Sequence, residues 1–290
     1  MVKVLVCGAK GQLGSNLKEL SIHYPDIFFD FTDIEELDIL DSLSLNHYVK
    51  QQRPGFIINC AAFTQVDKAE TEREKAFLLN AEAVKNLLIA ARQCDARLIH
   101  ISTDYVFNGK NYIPYKENDL PDPDSVYGLS KLKGEMYLAD SHSSLIIRTS
   151  WLYSNYGHNF FKTVLRLANE KDEIKMVNDQ VGTPTWAGDL AAAILQIVVS
   201  TSEDSSRFIH GIYHFSNEGV ASWYDFAKEI IDLSGSKTQV LPIETSDYPL
   251  LAPRPYYSVL NKKKIRDTFG ISIMHWKDSL KKCLSLQEEV

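Results

Sequence analysis

Three glycines, Gly8, Gly11 and Gly14, stand between the apolar run Val2–Cys7 and a stretch with helical spacing, and this arrangement constrains the fold more than any other feature of the chain. The run is short and rich in β-branched residues, which suits a strand buried on both faces of a parallel sheet. Ser15 has the chemistry of a helix N-cap, and residues 16–20 follow with helical periodicity. Strand, glycine turn and helix in this order bring backbone N–H groups and the positive end of a helix to one point. The glycines allow the turn and let an anionic pyrophosphate approach the backbone. In isolation the spacing would say little; in this context it predicts dinucleotide binding.

The alternation continues downstream. Strands are expected at 27–31, 55–60, 97–102 and 145–148, with helices at 42–52 and 76–93. Strands alternating with helices predict an α/β fold, a Rossmann-type doubly wound parallel sheet. Residues 1–150 are read as the dinucleotide-binding domain, joined by parts of 187–215. A helix at 190–199 and a strand at 211–215 fall in that joined stretch, and residues 151–186 and 216–290 are read as a smaller C-terminal α/β substrate lobe, with helices at 161–169, 223–233, 262–267 and 276–284 and an irregular proline-rich wrap at 242–255.

Charge narrows the partners. Thirty-one Lys and Arg against 38 Asp and Glu leave a net charge of −7, so nothing global draws the chain to nucleic acid or an anionic membrane, and an anionic ligand must be held locally. Cys7, Cys60, Cys94 and Cys283 form no metal or disulfide spacing and read as free thiols, three of them in the core. The start of the chain lacks a signal-peptide core, and the apolar stretch 190–199 falls short of the about 20 residues that span a bilayer. A cytoplasmic protein without membrane or nucleic-acid partners is expected.

Candidate chemistry lies in two places. Asp30 and Asp33, at the expected end of the second strand, are placed to accept the adenosine ribose hydroxyls and to repel a 2′-phosphate. With no Arg or Lys between Lys18 and Lys50, NADH is favoured over NADPH. The second place joins Thr103 and Asp104, at the end of an expected strand, to Tyr127 and Lys131, spaced four apart on one helix face. An ammonium near a phenol favours its ionised form, so Tyr127 is expected to exchange a proton near neutral pH while Thr103 holds a substrate oxygen.

The chain resembles the dTDP-4-dehydrorhamnose reductase family of extended short-chain dehydrogenases/reductases. The resemblance is carried by Gly8 to Gly14 with Gln12, the segment from Asn59 through Val66-Asp67-Lys68-Ala69-Glu70, Ser102-Thr103-Asp104-Tyr105, Tyr127 through Glu135, Arg148-Thr149-Ser150-Trp151, Asn178-Asp179-Gln180, and Arg254-Pro255. It implies that Gly11, Gln12 and Leu13 meet the cofactor pyrophosphate, that Asp38 and Ile39 border the adenine, and that Ala62, Phe63 and Thr64 lie along the cofactor. It makes Thr103, Tyr127 and Lys131 the catalytic set and places Val66, Asp104 and Trp151 at the sugar. The implied reaction is NADH- or NADPH-dependent reduction of a nucleotide-sugar 4-keto group.

For the substrate pyrophosphate a local cation is needed, and Arg254 is the candidate. Some members of the family hold Mg2+ at a dimer interface through glutamates, but Gly188 stands where one of them is expected, so no metal site is predicted, in a monomer or homodimer. Two other readings share the superfamily: a non-catalytic nucleotide-binding partner resembling the β subunit of methionine adenosyltransferase, and a nucleotide-sugar epimerase or dehydratase.

Overall fold

Along each central strand, successive side chains point to opposite faces, and in this chain both faces are apolar. The computed structural model describes residues 2–288. Strands β1 (Val2–Cys7), β2 (Ile27–Thr32), β3 (Phe56–Asn59), β4 (Arg97–Thr103) and β5 (Ser144–Thr149) pair in parallel with the strand Gly211–His214. The six lie in the order Gly211–His214, β5, β4, β3, β1, β2. Val4, Val6, Phe56, Ile58 and Ile147 face helix α1 (Gln12–Ser21) and the helix Ala187–Glu203. Leu5, Ile57, Leu98 and Ile146 face helix α2 (Ser42–Gln52) and the helix Ala83–Gln93. Helices on both faces explain why the strands read as continuous apolar runs. The chain leaves β1 for β2 on one side and for β3 on the other, so the crevice at the carboxyl ends of β1 and β3 is the switch point where such sheets bind ligands.

A second core joins Tyr153, Phe161, Phe226, Ile230, Trp276 and Leu280. It is built from the helices Phe160–Glu170, Trp223–Ser234 and Trp276–Glu288 beside a parallel pair, Glu173–Val177 with Gln239–Ile243. The second strand of that pair enters the segment read as irregular wrap. Among the described residues no helix is long and apolar enough to cross a membrane.

Three expectations are corrected. The helix after the glycine turn starts at Gln12 with Gly11 as its N-cap and no side-chain cap bond, so Ser15 lies inside the helix. The stretch 76–93 is not one regular helix: a π-helical turn, Leu78–Glu82, separates Arg73–Phe77 from Ala83–Gln93. That turn directs the buried side chain of Asn80 inward, where its Oδ1 accepts from the Phe63 N–H (2.8 Å) and its Nδ2 donates to the Phe63 carbonyl (3.0 Å) and to Ser130 Oγ (2.9 Å). Of the four cysteines only Cys7 and Cys283 are buried; Cys60 and Cys94 are half-buried, and all four are free.

Candidate active site

Backbone geometry makes the cofactor end of the site. Gly8 has φ +79°, and a Cβ there would lie 2.6 Å from the Ala61 nitrogen; a Cβ on Gly14 would lie 2.4 Å from the Gly8 carbonyl. With no side chain spent on capping, the first-turn N–H groups of α1 stay open toward the crevice. Gln12 Oε1 is buried there without a partner. Gly8, Gly11, Asp33, Asp38, Ile39 and Ala62 line an open groove of about 430 Å3. Open donors, an orphaned amide oxygen and a glycine-walled groove fit a dinucleotide.

The remaining residues expected at the cofactor take different positions. Leu13 and Gly14 sit in the first turn of α1, the Leu13 side chain in the core, so only backbone is offered. Phe63 and Thr64 continue the segment beyond Ala62, Phe63 clamped by Asn80 and Thr64 exposed. Asp30 is not a wall of the groove. It lies mid-strand in β2, opposite Leu5, and accepts a hydrogen bond from the Tyr48 hydroxyl at 2.8 Å. The reading of the sequence also missed Lys10, which lies in the groove with its N–H donating to Asp33 Oδ2 (2.9 Å) and its ammonium 2.5 Å from Glu35.

The reacting end is assembled by β4 and the helix Val126–Leu138. Ser125 caps this helix, accepting from the Gly128 N–H (3.1 Å), and Glu70 Oε1 accepts from the Val126 N–H (2.8 Å). A Cβ on Gly128 would lie 2.1 Å from the Tyr105 carbonyl, so the glycine after Tyr127 is what lets the helix close on the turn that follows β4. Tyr127 is buried against the edge of Tyr105, ring centroids 5.4 Å apart. Thr103 and Asp104 are buried beside it, and Thr103 Oγ1 donates to Asp104 Oδ1 at 3.0 Å.

Electrostatics differ from the expectation for Tyr127. Burial pushes its phenol up to about 12, against a hydrogen bond with Thr103. Lys131 is also buried, and burial pulls its ammonium down to about 8 against the charge of Glu135. Its Nζ donates to the Ile101 carbonyl (2.6 Å) and lies 3.4 Å from His100 Nε2. Resting Tyr127 therefore carries its proton at neutral pH. His100, unnoticed in the sequence, is fully buried, and burial together with the Lys131 charge holds its imidazole well below the ordinary range. Its Nδ1 lies 3.1 Å from Asn59 Nδ2, and Asn59 Oδ1 accepts from the Ala61 N–H (3.1 Å). A histidine in a run of strand residues carries no periodic signal; only its neighbours reveal it.

Residues 2–288 match the RmlD substrate binding domain family. The chain belongs to this family. It is similar to the dTDP-4-dehydrorhamnose reductase of Aggregatibacter actinomycetemcomitans, 41% identical over 97% of this chain and 98% of that protein. It is similar also to the spore coat polysaccharide biosynthesis protein SpsK of Bacillus subtilis (strain 168), 40% identical over 98% and 97%. Among solved structures, the dTDP-4-dehydrorhamnose reductase of Bacillus anthracis str. Ames in complex with NADP is 39% identical, with a TM-score of 0.91 over 99% of this chain and 100% of that one. The α/β Rossmann-type fold read from the sequence is the fold of these reductases.

Several motifs that mark this RmlD family member hold its architecture. Arg148 and Glu135 form a buried ion pair (Nη2 to Oε2, 2.6 Å; Nε to Oε1, 2.9 Å), and Ser102 Oγ donates to the same carboxylate at 2.5 Å. Arg254 is not a free cation: its guanidinium lies 2.5 Å from Asp67 Oδ2, and Asp67 Oδ1 accepts from the Ala252 N–H (3.0 Å). Burial opposes ionisation of Asp67, but the Ala252 N–H and Arg254 more than offset it and hold the carboxyl below its usual value. Asp67 so latches the proline-rich strap to the helix Val66–Thr71.

Trp151, in left-handed backbone (φ +47°), stacks on Trp223 with centroids 3.5 Å apart and rings within 3° of parallel. Gln180 accepts from Trp223 Nε1 (3.1 Å). Trp223, like Lys10 and His100, is not singled out by the sequence, where it reads as the start of an amphipathic helix. Val66 packs with Ala69, Val126 and Tyr127 beneath this end of the site. Among the described residues no three His, Cys, Asp or Glu side chains cluster as a metal centre. A Cβ on Gly188 would lie 2.5 Å from the Trp186 ring.

Proposed function

We infer that this chain is an NAD(P)H-dependent oxidoreductase that reduces the 4-keto group of dTDP-6-deoxy-L-lyxo-4-hexulose to dTDP-L-rhamnose. One observation carries the reading: a dinucleotide-type groove and a buried Thr103, Tyr127 and Lys131 occur in a chain with relatives over 97–98% of its length that are named as this reductase. Those relatives do not favour the regulatory-partner or the epimerase and dehydratase readings.

A bound nicotinamide would supply the hydride that the carbonyl carbon needs. The residues of the chain manage the oxygen. Tyr127, protonated because burial raises its phenol, donates its proton to the oxygen as negative charge develops there. Lys131, protonated below about 8, stabilises the phenolate left behind and holds the ribose. Thr103 orients the oxygen by hydrogen bonding. We propose Gly8, Gly11, Gln12, Leu13 and Gly14 as the pyrophosphate cradle, Asp33, Asp38 and Ile39 as the adenosine wall, Ala62, Phe63 and Thr64 along the cofactor, and Val66, Asp104 and Trp151 at the sugar. Asp30 drops out of this set, and Arg254 reaches a substrate phosphate only by sharing its guanidinium with Asp67. With Asp33, Glu35 and Glu36 around the single ammonium of Lys10, the ribose end is net acidic and favours NADH. Residues 1–150 with 187–215 form the proposed cofactor domain, and 151–186 with 216–290 the substrate lobe.

The test supplies the purified protein with the dTDP-4-keto sugar, made in situ, and NADH or NADPH. Stoichiometric oxidation with dTDP-L-rhamnose as product is expected. Binding of dinucleotide with no oxidation of either cofactor overturns the assignment.

A further inference from the structure

The Thr103 hydroxyl has one proton and more than one claimant. Its Oγ1 accepts the Tyr105 N–H (3.2 Å), lies 3.0 Å from Asp104 Oδ1, and faces the Tyr127 phenol. A hydroxyl donates once and accepts twice. If Asp104 is a carboxylate, Thr103 must donate to it, and the free lone pair of Oγ1 draws the Tyr127 proton toward Thr103. If Asp104 carries a proton on Oδ1, it donates to Oγ1, and the Thr103 proton is released toward the reacting oxygen. Only the second arrangement points both Thr103 and Tyr127 at substrate.

The surroundings of Asp104 favour the protonated form. The residue is 3% exposed, and its Oδ2 is buried without a hydrogen-bond partner. The groups facing it are Thr103 and Tyr105 from its own turn, Tyr127 from the helix Val126–Leu138 and Ser258 from the C-terminal segment. Among the described residues no ammonium or guanidinium pairs with it. Burial raises its carboxyl to about 7, against the hydrogen bond of Thr103 and the nearby Ser258 hydroxyl.

We propose that Asp104 is a positioning residue whose carboxyl, by keeping or losing its own proton, decides whether the Thr103 hydroxyl donates to the carboxylate or to the carbonyl oxygen being reduced. The carboxyl proton is released to solvent as Asp104 ionises, Thr103 keeps its own, and the switch is one of hydrogen-bond direction. The proposal rests on the reductase reading.

The test is the pH profile of kcat for wild type, Asp104→Asn, Thr103→Val and the double variant. The amide of D104N donates to Oγ1 at every pH. Between pH 6 and 7.5 wild-type kcat is expected to fall roughly fivefold, whereas D104N loses no more than about a third, the part belonging to Lys131. T103V, slower throughout, should be as flat as D104N, and D104N should change nothing further in the T103V background. Parallel profiles for wild type and D104N overturn the proposal, as does a change of profile by D104N when Thr103 is absent.

A titration of the Asp104 carboxyl carbon by 13C NMR, its resonance identified by loss in D104N or by its shift in T103V, needs no turnover. A midpoint near 7 that moves in T103V supports the proposal, and a midpoint near 4 overturns it. Absence of turnover in the wild type would refute the reductase reading, leaving the carboxyl titration to decide on Asp104. Should D104N fail to fold, the T103V profile and the wild-type titration decide.

Discussion

Tyr127 and Lys131 divide one task between two buried groups with opposite responses to burial: a neutral acid is favoured and a cation disfavoured. Removing only the proton donor, in Tyr127→Phe, is expected to lower kcat by roughly 10²–10⁴ and leave dinucleotide affinity within a few-fold, measured by NADH oxidation and by fluorescence titration. For Lys131 the pH sign follows from its lowered value. The ammonium is present below about 8 and lost above it, so the rate falls as pH rises through that range, and Lys131→Met weakens both rate and cofactor binding. At the ribose, an Asp33→Asn, Glu35→Gln double variant should shift the NADPH/NADH ratio of kcat/KM upward by roughly two- to tenfold, the modest size reflecting exposed, salt-screened charges. That Tyr127 and Lys131 share a helix was legible from their spacing, because a helix puts i and i+4 on one face, but the glycine turn and the end of β4 were needed to single the pair out. His100 and Trp223 were not, because what they touch is contributed by other elements.

At the scale of elements, the helix Val126–Leu138 is held where it is by absences of side chain and by one buried ion pair. A Cβ on Gly134 would lie 2.2 Å from the Asn80 carbonyl, so Gly134→Ala must push the helix off the π-helical turn. The expected cost is about 1–3 kcal/mol in chemical denaturation, with part of the activity lost through displaced Tyr127. Glu135→Leu leaves the Arg148 guanidinium buried without its carboxylate and is expected to destabilise the fold by roughly 3–5 kcal/mol. The helices and strands of residues 2–150 were largely readable, since burial on both sheet faces writes itself into continuous apolar runs. The start of α1 differs from the hydroxyl cap that local propensity favours at Ser15, because the chain turns into the helix at Gly11 and spends no side chain on its first N–H groups. The π turn was invisible because Asn80 is polar in a helical pattern and its partners, Phe63 and Ser130, lie far away in the chain.

Across the whole molecule, the strand Gly211–His214 returns to the edge of the main sheet, and the helix Ala187–Glu203 packs on α1, while the residues on either side build the second core. The Asp67–Arg254 pair ties the C-terminal strap back to the first half of the chain. With Gly188 packed against Trp186, assembly is proposed to be metal-free. Sedimentation with and without EDTA should give one unchanged mass, that of a monomer or homodimer, and a change of mass on chelation would refute this.

The sequence by itself determined the doubly wound sheet, the glycine turn between β1 and α1 and the placing of Tyr127 and Lys131 on one helix, because each depends on periodicity or on neighbours within one turn of chain. Only the tertiary structure decided that Arg254 is paired, that Asp30 stands outside the groove, and that Asp104 shares the Thr103 proton in a buried setting. Charge state and hydrogen-bond direction depend on desolvation and on partners brought together by folding, and neither is written in the spacing of residues.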